Sequence, residues 1–420
     1  MYKIYFKQAL QMLKQNLFIS IISILGTALA IMMIMTIIVT GEVKNMNMAP
    51  ELNRDRTLYI TFQIKKDTTK GSMTAGNVTS DIINEYLLKL KTPQYISAMS
   101  ENSSDRKITV NIEGSSDYHL LSLRNVDATF WKVFFFDFVA GNAFSEEEFK
   151  SGIRNAVLSE STAQKLFKGE RPLGRTIQIG FKNYKVVGVI KDISPVFKYA
   201  GGDIWIPYTS FEKTLSAGSV VLIAKSKDDF PAIIAEVREA ERRFGIEKHP
   251  WMLYLNGPED QKTRNLNVMA NSAKEFDTER KIKNRRTVFI FLILLIIPAL
   301  NLSGFSLSRI KKRIAEIGIR KAFGAKKYVI LIQVLYENMI TSLIGGFIGL
   351  LLSYITIIWL KDWLLKIPEG SGVPISALLS PYIFLAVFIV CLLLNLLSAG
   401  MSAFRASRMT IVDSLTQNDR

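Results

Sequence analysis

The sequence predicts a membrane protein with four transmembrane α-helices and a large α+β domain inserted between the first and the second. Three observations predict it. Charge-free apolar runs lie at Leu17–Thr40, Thr287–Leu307, Met339–Leu360 and Tyr382–Phe404, each near the roughly 20 residues that a spanning helix needs. Residues 41–286 between the first two runs have the composition of a water-soluble domain. Lys and Arg crowd beside the apolar runs instead of spreading along the chain.

Composition narrows the function classes. The 420 residues are 49% hydrophobic with a net charge of +16, and the mean hydropathy is +0.19. Basic residues next to apolar runs point to a membrane surface, and no zinc spacing or RNA-binding signature supports a nucleic-acid partner. Cys391 is the single cysteine and sits inside an apolar run. The soluble part therefore stands on its own core, without an intrachain disulfide.

In chain order, Met1–Asn16 is basic, with Lys3, Lys7 and Lys14 and no acid. Ala28-Leu29-Ala30 imitates a signal-peptidase site, but the apolar run continues well past it. An h-region is only about 7–15 residues long, so Leu17–Thr40 reads as an uncleaved anchor. In the middle part, Thr57–Ile64 reads as a strand, Val78–Leu90 as a helix and Lys107–Ile112 as an alternating strand. Ser219–Ala224, Phe230–Phe244 and Trp251–Leu255 repeat the order strand, helix, strand. Two such sets make one α+β subdomain from 46–117 with 215–257, and a second subdomain, 118–214, is inserted between them. Within the insert, the aromatic run Asn125–Gly141 reads as core. The polar, helix-permissive segment 258–286 reads as a stalk. The expected domains are thus 1–45, 46–286 and 287–420.

In the last part, Pro298, Asn301 and Gly304 mark a helix that faces protein, because polar and helix-breaking residues avoid lipid. Gly345, Gly346 and Gly349 form a small-residue face suited to close helix packing. Glu337 is an acid at a membrane interface; a structural role, bonded to the basic loop or to Asn301, competes with a functional one. The N-terminus, the loop around 309–327 and the tail with Arg405 and Arg408 are basic, whereas the loop 361–380 is charge-balanced. Basic loops stay in the cytoplasm, so both ends are expected inside and residues 41–286 outside.

The stretch Arg309–Phe323 is a short basic helix. Ile310, Ile314 and Ile317 share one face, and Gly324 suits a left-handed cap. Physics alone leaves two readings open, a helix lying on anionic lipid and a helix docking on a protein. Arg313 and the run Glu316, Ile317, Gly318, Ile319, Arg320, Lys321, Ala322, Gly324 and Ala325 resemble the signature of MacB-like and FtsX-like permeases of ABC transporters, an Arg shortly before E-I-G-I-R-K-A-x-G-A. The run Asp127–Gly141 and the segments Ala156–Glu160, Ala163–Phe167, Pro172–Arg175 and Val187–Asp192 resemble that family's extracytoplasmic domain. The tail departs from it, with Met401, Thr410 and Thr416 where the family has Pro, Pro and Arg.

The resemblance implies that 309–323 is a coupling helix, with Arg313, Glu316, Ile317, Gly318, Arg320, Lys321, Phe323 and Gly324 at the ATPase contact. It implies a separate ABC ATPase subunit and a second permease subunit, in a homodimer or a heterodimer. A periplasmic adaptor and an outer-membrane channel are further implied partners, and the membrane is the inner one. The implied function is mechanotransmission: ATP hydrolysis in the cytoplasm moves an outer domain to export a peptide, drug or lipoprotein. Lipoprotein-releasing permeases and FtsX-like regulators of cell-wall hydrolases share the membrane part, and a membrane-anchored sensor shares the architecture.

No catalytic constellation is present, and neither a cofactor nor a metal is expected. Gly169–Thr176 imitates a phosphate-binding loop with Arg175 for the lysine, but a helical pattern precedes it and strands follow, the reverse of the required order. His119 and His249 lack metal-ligand spacing, and Ser210–Lys213 fits S-x-x-K by a pattern too short to carry chemistry.

Overall fold

The computed structural model describes residues 11, 17–100, 107–112, 117–194, 197–211, 217–268, 270, 272–311, 319, 322–323, 327–365 and 381–408. The expectations for the basic N-terminal segment, for most of the basic stretch, for the loop 366–380 and for the end of the tail lie outside the described residues. The main helices are α1 (Leu17–Val43), α2 (Glu160–Phe167), α3 (Phe230–Glu247), α4 (Gln261–Asn265), α5 (Ala273–Lys311), α6 (Lys327–Leu365) and α7 (Pro381–Arg408). The chain forms two units: Val43–Asn284 with Leu365–Pro374, and Met1–Glu42 with Arg285–Leu364 and Ile375–Arg420.

The soluble unit is built on one large mixed sheet. Its strands run in the spatial order Ile204–Pro207, Asn155–Ser159, Lys182–Ile190, Thr176–Ile179, Lys107–Ile112, His119–Val126, Tyr95–Met99, Ala217–Ile223, Thr57–Ile60 and Glu259–Asp260. A three-stranded sheet, Trp251–Asn256, Phe62–Asp67 and Met73–Gly76, lies apart from it. Two apolar cores stabilise the unit. One gathers Leu58, Ile60, Ile82, Tyr86, Val220, Leu222 and Leu255 with Ile233, Val237, Ala240 and Phe244 of α3. Those four α3 residues fall three and four apart, one stripe of the helix. The other core gathers Val110, Leu158, Leu166, Ile177, Tyr184 and Val186. The strand Lys107–Ile112 thus feeds the second core through Val110.

Two readings of the sequence need correction. Thr57–Ile64 is two strands rather than one. Thr57–Ile60 is buried on both faces and pairs with Ala217–Ile223, while Phe62–Asp67 turns away to pair with Trp251–Asn256. The apolar run is continuous because each half is buried, so composition does not mark the break at Thr61. Val78–Leu90 is helical only over Ser80–Leu87, with a π turn at Ile83–Leu87. Leu88 N–H donates to the Ile83 carbonyl at 2.9 Å. The wider turn lets the neighbours Ile82, Ile83, Tyr86 and Leu87 all face the core.

The run Asn125–Gly141 is an aromatic core. Phe130, Trp131, Phe134 and Phe136 pair at ring-centroid distances of 4.8–6.4 Å; Phe130 and Phe136 are stacked and the other pairs are tilted or edge-on, arrangements that ring quadrupoles favour. Of 258–286, only the part from Ala273 onward belongs to a long helix; Glu259–Asp260 pairs with Thr57–Ile60 and α4 follows it.

In the other unit, two stretches among the described residues are long and apolar enough to cross a membrane: Ser20–Glu42 and Asn338–Leu360, with mean hydropathy 2.5 and 2.2. Ser20, Ser23, Thr27, Ala28, Ile31, Met35 and Val39 form a buried stripe on α1, while Phe18, Ile21, Leu25, Leu29 and Met33 are exposed. Exposed leucines, isoleucines and phenylalanines on long helices are what a lipid-facing surface requires. The glycines of α6 lie in the packing. A Cβ on Gly349 would stand 2.7 Å from the Ala28 carbonyl oxygen, and one on Gly345 would stand 2.8 Å from Thr27 Cβ. Gly346 meets Phe388 of α7 in the same way. Helix α6 continues through Leu365, past the expected end of the span at Leu360.

Candidate functional site

Most of the predicted coupling residues, Arg313, Glu316, Ile317, Gly318, Arg320, Lys321 and Gly324, lie outside the described residues. Arg309, Ile310 and Lys311 are the last residues of α5. Phe323 is described: it is 89% exposed, and its N–H donates to the Ile319 carbonyl at 3.1 Å. Ile319 is 51% exposed. Two large apolar side chains are therefore presented within a strongly basic stretch. Glu337 lies in the first half of α6.

The phosphate-loop imitation is a turn. Helix α2 opens with the Ser159 hydroxyl accepting from Thr162 N–H at 3.3 Å and closes on Lys168 in the left-handed region, φ 52°. Gly169 and Gly174 also have positive φ, and the chain then enters the strand Thr176–Ile179. Arg175 pairs with Glu170 at 2.5 Å, so its charge is held within the turn. Ser210 is buried and its hydroxyl donates to the Pro207 carbonyl at 2.6 Å; Lys213 lies outside the described residues. His119 is in a strand beside Lys107–Ile112, and His249 precedes Pro250. No three of His, Cys, Asp and Glu gather as metal ligands among the described residues.

A cluster that the sequence does not announce joins three distant segments of the soluble unit. The first, 44–61, follows α1 directly. The second, 197–201, lies between the strands Lys182–Ile190 and Ile204–Pro207. The third, 256–268, precedes α5. Arg54 is the centre of the cluster. It is 2% exposed, its Nε meets Glu51 Oε2 at 2.5 Å, its Nη1 donates to the Lys44 carbonyl at 3.1 Å, and its guanidinium lies 4.7 Å from the Phe197 ring centroid. Charges this deeply buried hold only because the pair is closely hydrogen-bonded; removal of one partner costs about 3–5 kcal/mol in such sites. Gln261 of α4 donates to the same Lys44 carbonyl at 2.9 Å, and Asn265 donates to Asn45 at 2.8 Å. Arg264 spans the rings of Tyr59 and Tyr199, at 5.7 and 4.7 Å, and its Nη1 donates to Thr61 at 3.0 Å. Such stacked guanidinium contacts are worth about 0.5–2 kcal/mol each.

Arg124 fastens the segment 197–201. Its Nε donates to the Gly201 carbonyl, and Nη2 to that of Lys198, both at 2.8 Å. Phe135 N–H donates to the Pro50 carbonyl at 2.9 Å, which ties the aromatic run to the segment after α1. Gly257 sits at φ 119°, where a Cβ would stand 2.7 Å from the Tyr59 carbonyl oxygen, so glycine is required. Arg238 of α3 donates to the Gly257 carbonyl at 2.6 Å.

Two buried carboxyls titrate unusually. Glu259, paired in register with Tyr59, is pushed up to about 8, first by burial and then by Asp260, with Lys283 pulling it down. Asp127 is pushed up to about 6 by burial, although the Ala98 and Phe130 N–H groups and the Ser97 hydroxyl donate to it at 2.7–2.8 Å. No single-sequence signal marks the cluster. Arg264 and Thr61 are 203 residues apart, and Gln261 and Lys44 are 217 apart.

Comparison with known proteins identifies the chain. Residues 20–240, more than half of it, match the model of the MacB-like periplasmic core domain. Residues 288–411 match that of the FtsX-like permease C-terminal part. The chain is similar to the macrolide export ATP-binding/permease protein MacB of Wolinella succinogenes, with 26% identity over 407 residues covering 94% of this chain and 59% of that one. It is 25% identical to the MacB protein of Marinobacter nauticus over 354 residues, covering 82% of this chain and 52% of that one. The chain therefore spans between half and three fifths of the length of these two relatives. The crystal structure of the periplasmic region of MacB from Actinobacillus actinomycetemcomitans covers 51% of this chain and 94% of that one, at 16% identity and a TM-score of 0.36. The chain belongs to the MacB-like family of ABC transporter permeases, with a MacB-like periplasmic core domain followed by an FtsX-like permease part.

Proposed function

We propose that this chain is a mechanotransmission permease subunit of the inner membrane. It crosses four times, by α1, the apolar part of α5, α6 and α7, with both termini in the cytoplasm and the core domain in the periplasm. Its organisation follows the division 1–45, 46–286 and 287–420. A separate ABC ATPase docks on 309–323, and a second permease subunit completes the transporter. ATP binding and hydrolysis shift the spans, and the shift reaches the core domain to move a peptide, drug or lipoprotein outward, through a periplasmic adaptor and outer-membrane channel where these are present. The chain itself carries no catalytic role.

The observation that carries this reading is Phe323, a large aromatic left 89% exposed in a basic stretch. Buried aromatic anchors dominate protein interfaces, and an exposed one invites a partner. The junction cluster supports the relay. Segments that follow α1 and precede α5 are hydrogen-bonded to one another and stacked on the inserted part, so displacement of either is felt there.

The test is co-purification with the partner ATPase and ATP hydrolysis in membranes. Glu316→Lys adds positive charge, which strengthens a lipid-bound helix by about 1 kcal/mol but breaks a protein dock. Glu316→Lys and Phe323→Ala are each expected to lose co-purification and stimulated hydrolysis. If both variants retain them, the stretch lies on lipid and the docking reading fails.

A further inference from the structure

The junction cluster encloses more than a set of internal bonds. Lys44, Glu51, Arg54, Lys198, Tyr199, Gln261, Arg264 and the neighbouring Asn265 and Asn267 line a recess of about 220 Å3. That is room for a small polar group, well above the space one water needs. Four of these residues are cations and one is a carboxylate, so the recess favours an anion. Lys44 and Lys198 are exposed at its rim.

The second observation is a set of buried polar atoms without partners. Glu51 is 3% exposed, and while Oε2 holds Arg54, Oε1 has no hydrogen bond among the described residues. Gln261 Oε1 and the Tyr199 hydroxyl are buried and likewise unpartnered. Buried polar groups are normally satisfied, and an orphaned one marks a missing ligand or water. Two of these three atoms, Glu51 Oε1 and Gln261 Oε1, can only accept. Whatever fills the recess must therefore bring donors to one end and negative charge to the other.

We propose that this recess binds a phosphate ester whose far end carries hydroxyl or ammonium donors, the headgroup of a phospholipid or its soluble glycerophosphate counterpart. The phosphate lies on Lys44 and Lys198, and the donor end meets Glu51 Oε1 and Gln261 Oε1. Position favours the lipid source. Lys44 is the residue after α1, whose Ser20–Glu42 stretch is long and apolar enough to cross a membrane. Successive Cα atoms are only about 3.8 Å apart, so Lys44 itself stands one peptide unit past the last residue of α1. A bound headgroup bridges the segments before α5 and after α1, and so stiffens the junction.

The experiment is native mass spectrometry of the full chain in detergent, titrated with phosphatidylglycerol, phosphatidylethanolamine, diacylglycerol and soluble glycerol phosphate. Removal of both rim lysines, Lys44→Ala with Lys198→Ala, leaves the Glu51–Arg54 pair untouched. It is expected to weaken phospholipid binding roughly tenfold, because each basic contact to an anionic lipid contributes substantially. The control pair Lys165→Ala with Lys185→Ala, at exposed positions of the inserted part, should leave binding unchanged. Glu51→Gln should weaken phosphatidylethanolamine more than phosphatidylglycerol, since an ammonium needs the carboxylate charge. Displacement of the lipid by glycerol phosphate assigns the site to the soluble ester, and resistance to displacement assigns it to the membrane lipid. Equal binding by the rim variant and the control variant, or equal binding of diacylglycerol, would overturn the proposal and leave the recess to water.

Discussion

The junction cluster and the packed helices α1 and α6 are held together by opposite means. The junction relies on directional polar contacts: Arg54 on Glu51, Arg264 over two tyrosines, Gln261 and Arg54 on one carbonyl. The helix pair relies on closeness, with Gly345 and Gly349 against Thr27 and Ala28. The difference follows from the surroundings. In water, apolar contact is plentiful and a buried charge pair fixes a geometry. Between helices in lipid there is no hydrophobic drive, and small residues that let backbones approach supply the attraction. The junction should therefore respond to pH and to point charge, and the helix pair to volume alone.

The largest expected effect breaks the helix pair. Gly349→Leu forces a side chain where even a Cβ meets the Ala28 carbonyl oxygen at 2.7 Å and Ile31 Cβ at 3.0 Å. Both neighbours are parts of a helix and cannot move singly, so the cost exceeds the roughly 1–3 kcal/mol of ordinary over-packing. The expected outcome is loss of the monodisperse full-length chain on size-exclusion chromatography, equally at pH 5 and pH 8. Recovery of a normal elution profile would show that the contact does not hold the helices.

A smaller effect separates the junction from the helices by pH. Glu259 has its folded pKa raised to about 8, against roughly 4.3 when unfolded. A proton held more tightly by the folded state stabilises it fully below the unfolded value, and that contribution is lost as pH rises through about 8. Asp127, raised to about 6, acts in the same direction. Glu259→Gln keeps an acceptor for Asn256, which donates to Glu259 at 3.2 Å, and removes the charge. At pH 8.5 the variant should be more stable than the parent by about 2 kcal/mol, and the two should converge at pH 4. Hydrogen-exchange protection of the Thr57–Ile60 amides reads this directly. A variant less stable than the parent at pH 8.5 would contradict it.

What the sequence makes legible divides along the same line. Local periodicity was enough for Lys107–Ile112, for α3 and for the glycine face of α6, because each pattern is contained in a few turns or one strand. The basic stretch was legible as a motif, since its residues are consecutive. The break at Thr61 was not, because two strands buried in different sheets read as one apolar run. The start of α5 was not either: polar Ala273–Arg286 and the apolar part that follows belong to one helix, although their compositions differ sharply. The junction was invisible for a stronger reason. Its partners come from segments about two hundred residues apart, and an arginine destined for burial beside a carboxylate looks in sequence like any surface charge.

The central claim is that events at the basic stretch reach the core domain through the junction. Hydrogen exchange on the assembled transporter, compared between nucleotide-free and ATP-trapped states, tests it most directly. The amides of 197–201 and Thr57–Ile60 should change their protection at least about twofold on ATP trapping in the parent, as differences in local opening report. They should not change in Glu316→Lys. Identical protection in both nucleotide states, while the parent complex goes on hydrolysing ATP, would contradict the relay.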